Sequence, residues 1–217
     1  MIDPVNLETL VHDARRFCAD LAGNNTKDWF NAQKPIYESQ LKAPAQTLLD
    51  IVAADLTRTF ATPWVTKLFR AHRDVRFSKD KRPYNTHLHM LWSRKEGAPV
   101  GLFFGIAPDY VSVGGGIMGF DKVQLTEWRR ALDTDLASEV HAAVEAAAMH
   151  GFALRDPELK RVPPPFAKDH PAESLLRRKG LVAWREVPDT EWSDPVAALH
   201  HAADSLAALY TALDRAL

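Results

Sequence analysis

An α+β fold is predicted for this chain: N-terminal helices, a central and mostly antiparallel sheet, then C-terminal helices, all in one domain over 1–217. Three observations carry it. Apolar residues recur at helical three-and-four spacing at both ends, the stretch from Thr66 to Val113 alternates as strands do, and the elements fall in runs rather than in β-α alternation. With 217 residues and 46% apolar side chains, one full-sized core is the expected outcome.

The first helix is read from Leu7, Leu10, Val11, Ala14, Phe17, Cys18 and Leu21, with Asp3 as cap, Pro4 in its first turn and Gly23 at its end. Cys18, the only cysteine, excludes an intrachain disulfide and reads as a small buried hydrophobe. Asn25, three residues before Asp28, resembles a cap for a short helix starting at Trp29-Phe30. A longer helix over 35–59 should kink at Pro44, whose ring removes a donor and crowds the preceding turn.

Strands follow. Val100 to Ile106 pairs with Tyr110 to Val113 across a Pro108-Asp109 turn, with Gly114-Gly115-Gly116 closing the hairpin. Helices return at 125–132, 135–150 and 171–179, with Pro163-Pro164-Pro165 as an extended loop. Asp194 caps and Pro195 opens the last helix, which carries Val196, Leu199, Ala203, Leu206, Leu209, Tyr210 and Leu213 on one face.

Charge is the most informative feature. The net charge is −1, yet 67–82 holds seven Lys/Arg against Asp74 and Asp80, a balance of +5 that leaves −6 on the rest. Reading 69–77 as a strand puts Arg70, His72, Asp74 and Arg76 on one face and Ala71, Arg73, Val75 and Phe77 on the other. A second strand over 86–92 shows Leu88, Met90 and Trp92 on one face and His87 and His89 on the other. Aligned polar faces would gather arginines, histidines and Asp74, with 78–85 hanging over the rim. Such a constellation suits an anion, because the guanidinium fork matches carboxylate or phosphate oxygens in pairs.

The expected ligand-binding residues are therefore Arg70, Arg76, Lys79, Lys81 and Tyr84, taking a phosphate- or carboxylate-bearing small molecule. If the protein is an enzyme, His72, His87 or His89 would move protons and Asp74 would orient them. Arg73, Asp80, Trp29 and Phe30 are expected to be structural; pairing of Arg73 with Asp74, or Arg76 with Asp80, would make the segment mere scaffolding. The competing class is a non-catalytic interaction module whose basic loop docks on an acidic protein or nucleic acid. Nucleic-acid affinity from one short segment should be weak and vanish near physiological salt.

His87-x-His89 lacks an evident third ligand, so no metal is assigned. Hydrolase, metalloprotease and dinucleotide fingerprints are missing, and no cofactor is assigned. No signal-like start and no window of about 18 apolar residues is found, which predicts a soluble cytoplasmic protein without a membrane partner.

Asn24-Asn25, Trp29-Phe30, Tyr37, the run from Phe69 through Arg73-Asp74-Val75-Arg76-Phe77-Ser78-Lys79-Asp80-Lys81 to Tyr84, and Gly114-Gly115-Gly116 together resemble the family called domain of unknown function 2461. Leu159-Lys160-Arg161-Val162-Pro163, His170-Pro171 and Leu175-Leu176 resemble its later motif, so the likeness covers about residues 14–185. Pro163-Pro164-Pro165 departs from the Pro-Arg/Lys-Gly pattern of that family. The family name carries no activity, so the resemblance bears on fold and on the location of the site, not on chemistry.

Overall fold

The computed structural model describes residues 6–217, so the caps read at Asp3 and Pro4 lie outside the described residues. Helix α1 (Leu10–Gly23) buries Leu10, Val11, Ala14, Phe17, Cys18 and Leu21, the stripe its spacing predicts except for Leu7, which precedes the helix and is half-buried. Burial pushes the Cys18 thiol up to about 12, which keeps it protonated and inert. Helix α2 (Lys27–Ile36) is capped by Thr26, whose hydroxyl accepts the Trp29 N–H at 3.3 Å, and not by Asn25. Asn25 instead bonds the Tyr84 backbone.

Between α2 and α3 (Ala43–Phe60) the chain stays helical but widens into a π-turn over Tyr37–Lys42. The Ala43 N–H donates to the Glu38 carbonyl, five residues back. Pro44 can donate nothing and would crowd the carbonyl four residues before it. One extra residue in the preceding turn relieves that conflict, so the expected disruption takes the form of a π-bulge.

Six strands form an antiparallel sheet: β1 (Trp64–Leu68), β2 (Leu88–Arg94), β3 (Gly101–Ala107), β4 (Tyr110–Ile117), β5 (Ala153–Leu154) and β6 (Leu181–Glu186), in the order β1-β2-β3-β4-β6-β5. Leu88, Met90 and Trp92 of β2 are buried, and the Trp92 indole donates to the Leu49 carbonyl of α3 at 2.9 Å. Pro108-Asp109 turns β3 into β4. The three glycines do not close that hairpin but lie within β4. Their missing Cβ atoms are the reason: added there, they would meet the Trp184 ring at Gly114, Tyr210 and Leu206 at Gly115, and the Leu181 backbone at Gly116.

The chain forms two compact units. One comprises the residues up to Trp92 with Phe103–Val113 and Glu186–His201. It holds α1 to α3 and most of the basic segment's surroundings, and the Arg15 guanidinium within it lies 4.6 Å over Trp192. The other comprises Ser93–Leu102, Gly114–Arg185 and Ala202–Leu217. In it, α4 (Lys122–Ala131) starts three residues earlier than expected because Asp121 and Gln124 form a capping box. Helix α5 (Leu136–Met149) follows, and α6 is only Glu173–Leu176. Arg94, 8% exposed, bonds Asp214 and the Ala98 carbonyl, tying the β2–β3 turn to the last helix.

The C-terminal helix divides into α7 (Pro195–Ser205) and α8 (Ala207–Ala216), with the Leu206 N–H shared between Ala202 and Ala203 carbonyls at the break. Asp194 accepts the Ala197 N–H at 3.0 Å, as its capping role requires. Among the described residues no helix is long and apolar enough to cross a membrane.

Candidate functional site: a clamped basic loop and a histidine pair

The basic segment is not the strand expected over 69–77. After β1 ends at Leu68, regular pairing returns only around an isolated antiparallel bridge of His72 with Tyr84. The Arg73 N–H donates to Pro83 at 2.8 Å and the Asn85 N–H to Ala71 at 2.7 Å. Beyond that, Asp74 and Asp80 take local backbone donors, Arg76 N–H at 3.3 Å and Arg82 N–H at 3.0 Å. Carboxylates that bond the chain two residues on compete with a ladder and make turns. Residues 74–82 therefore form a loop. The two faces survive without the strand over 70–76, where Arg70, His72, Asp74 and Arg76 are exposed and Ala71, Arg73 and Val75 half-buried; Phe77, expected opposite the polar face, departs from the pattern at 97% exposed.

Ion pairs organise this loop from within. Asp74 receives the Arg76 guanidinium on both oxygens, at 2.9 and 2.6 Å. Asp80 receives Arg82 at 2.8 Å and Arg73 at 2.7 Å, and Arg73 also reaches the Arg82 carbonyl at 3.2 Å. Both pairings differ from the alternatives the sequence suggested. Hydrogen bonds from Arg82 and then Arg73 hold the Asp80 carboxyl well below the usual carboxylate range, and those from Arg76 lower Asp74. Arg76 and Arg82 shift upward for the same reason.

Lys81 donates across the loop to the Val75 carbonyl at 3.1 Å. Arg70 and Lys79 are exposed and make no ion pair among the described residues. Arg73, whose side chain is 25% exposed, is the cation most enclosed by this network. Arg73→Ala should lower the melting temperature by about 2–4 °C. Melting at the wild-type temperature would mean that solvent screens the Arg73–Asp80 pair entirely.

The loop's base is fastened by a residue not counted among the site residues. The Asn25 side chain donates to the Tyr84 carbonyl at 3.0 Å and accepts the Tyr84 N–H at 3.0 Å, imitating a paired strand residue. Tyr84, expected at the ligand, is 3% exposed, and its ring stacks on Phe30 at 4.0 Å with planes 11° apart. His72 adds its ring at 4.8 Å from Tyr84 and 5.9 Å from Phe30. Phe30 is buried and Trp29 half-buried, each against Phe17 of α1. The traces of this clamp in the sequence are an Asn next to a better helix cap, Thr26, and the presence of Asn25, Phe30 and Tyr84 among the residues that carry the family resemblance.

His87 and His89 make a separate cluster. Their rings stack at 3.7 Å with planes 17° apart, and His89 Nε2 lies 2.7 Å from the Tyr110 hydroxyl. Phe69 meets His89 edge-on at 6.3 Å. Gly105 lies directly under the His89–Tyr110 contact: a Cβ there would come within 3.1 Å of the imidazole and 3.2 Å of the phenol ring. His72 touches Phe30 and Tyr84 rather than this pair, and Asp74 is committed to Arg76. The convergence of three histidines on one polar face does not form. Among the described residues, no three His, Cys, Asp or Glu side chains group as metal ligands.

Burial lowers His87, and burial with the neighbouring His87 lowers His89 from 6.5 to about 4. A histidine lowered by folding stabilises the fold while neutral, and that stabilisation is lost as pH falls. Between 6.5 and about 4 the unfolded chain binds one proton more at this site, costing up to about 1.4 kcal/mol per pH unit. Urea midpoints across this range should fall more steeply for wild type than for His89→Gln. Parallel profiles would contradict the assignment.

Compared with known families, the chain matches the one described as conserved hypothetical protein (DUF2461) over residues 13–214. The chain belongs to this family. No curated protein and no solved structure matches it. The family match runs from α1 to α8 and so includes the Asn25 clamp, the basic loop, the histidine pair and the glycines of β4. It extends beyond the 14–185 resemblance by taking in α7 and most of α8.

Proposed function

We propose that this member of the DUF2461 family is a non-catalytic interaction module that docks loop 74–82 on an acidic surface of a partner protein. The observation carrying this reading is Phe77, 97% exposed on a loop where Arg76, Lys79 and Lys81 are also exposed. An exposed aromatic with cations on the same loop, the Arg76 guanidinium 5.9 Å from its ring, has the composition of an interface centre and its rim. The clamp at Asn25 and Tyr84 and the Asp74 and Asp80 pairs hold the loop's shape before binding, which lowers the entropy lost on docking.

A small-anion site is less well supported, because the forks of Arg76 and Arg82 already hold carboxylates. A nucleic acid would meet only a few cations, against −6 on the rest of the chain.

Fluorescence anisotropy with a labelled peptide of alternating Glu and Leu tests the proposal. Binding in the range of about 10–100 µM at low salt is expected, weakened about tenfold by Phe77→Ser and also by Lys79→Glu. Wild-type affinity in both variants would refute it. A single-stranded oligonucleotide bound below about 1 µM at about 150 mM salt would make nucleic acid the partner instead.

A further inference from the structure

Away from the basic loop, α1, α2 and the π-turn enclose a groove of about 200 Å³. Phe17 and Trp29 form its aromatic wall, their ring centroids 5.6 Å apart, and Ile36, 40% exposed, adds an aliphatic edge. Arg16 brings a guanidinium to it, and Asp13 and Asp20 bring two carboxylates. The carboxylates are not equivalent. Asp13 is held by Arg16 at 2.8 Å, whereas Asp20 is exposed and makes no ion pair among the described residues.

A second feature points to the same place. Gln40, which also lines the groove, belongs to the π-turn, and Ile36 immediately precedes it. Pro44 alone accounts for a disruption of the helix, but its placement as a wide turn puts the bulge on the groove's wall. Such bulges occur often at functional sites.

We propose that this groove binds a small organic ammonium ion carrying an apolar body, a site independent of the docking loop. An aromatic wall takes an apolar or aromatic body by edge-on or offset packing, and a free carboxylate beside it supplies a charge-assisted hydrogen bond to the ammonium. The volume is also suitable, since a cavity of about 150 Å³ accommodates benzene. The apolar body lies along Trp29, Phe17 and Ile36, and the ammonium group pairs with Asp20.

Benzylammonium is the probe and benzyl alcohol its neutral counterpart. Titrated into the ¹⁵N-labelled full chain, benzylammonium should shift the Trp29 indole resonance saturably, with Kd on the order of 1 mM. Asp20→Asn, an exposed change that leaves the fold intact, should raise that Kd about tenfold, and Asp13→Asn should raise it less. Benzyl alcohol should bind about tenfold more weakly than benzylammonium. The proposal is overturned if Trp29 does not shift saturably, if the alcohol binds equally well, or if Asp20→Asn leaves the Kd unchanged. Trp29→Leu should abolish binding; because it also thins the packing on Phe17, the Asp20 comparison decides the matter.

Discussion

Gly116→Ala is expected to cost more than about 4 kcal/mol, enough to abolish folding or to lower the melting temperature by at least about 10 °C. Two independent penalties meet at this position. Its φ of +134° lies where a side chain is strained whatever the space around it. A Cβ would also overlap the Leu181 carbonyl, and backbone in a sheet cannot swing aside as the end of a flexible side chain can. Gly119→Ala, with nothing within 4 Å of its Cβ position, should melt close to wild type. Thermal unfolding followed by circular dichroism checks both. A folded Gly116→Ala with wild-type stability would mean that β4 and β6 do not approach each other as described.

The next largest effect belongs to Asn25. Asn25→Ala removes two hydrogen bonds and leaves the Tyr84 N–H and carbonyl without those partners, at a cost of about 2–3 kcal/mol. Asn25→Asp should recover part of this, because a carboxylate still accepts the N–H but now opposes the carbonyl. Chemical denaturation gives the stability, and hydrogen exchange at the Tyr84 and Arg73 amides gives the local effect. Both amides should exchange faster in Asn25→Ala, since each donates within the loop's base. Unchanged exchange would show that the Phe30–Tyr84 stack alone holds the base.

Much of the architecture could be read before any coordinates. The α1 stripe, the Trp92 side of β2, the β3–β4 turn and the Asp194 cap each rest on short-range rules that tertiary contacts reinforce. The misreading of the three glycines has its origin in contacts between residues distant in sequence. Gly114-Gly115-Gly116 resembles a turn until Trp184, Tyr210 and Leu181 are brought against it. Strand β6 is six residues long and follows the short helix α6, so its alternation is too brief to stand out.

The candidate site was legible in composition but not in geometry. Its cations were evident, whereas the strand inferred for them ignored that Asp74 and Asp80 could satisfy the backbone locally. Asn25 could not be linked to Tyr84, 59 residues on, from spacing alone. The exposed Phe77 is a consequence of that loop and was placed on the wrong side by the strand reading.

Chemical-shift mapping of the ¹⁵N-labelled chain during titration with the acidic Glu-Leu peptide tests the docking loop most directly. The perturbed amides are expected to lie within 70–82, to centre on Phe77 and Lys79, and to lose their shifts in Phe77→Ser. Saturable perturbation centred on His87, His89 and Tyr110 instead, with the loop amides unmoved, would contradict it.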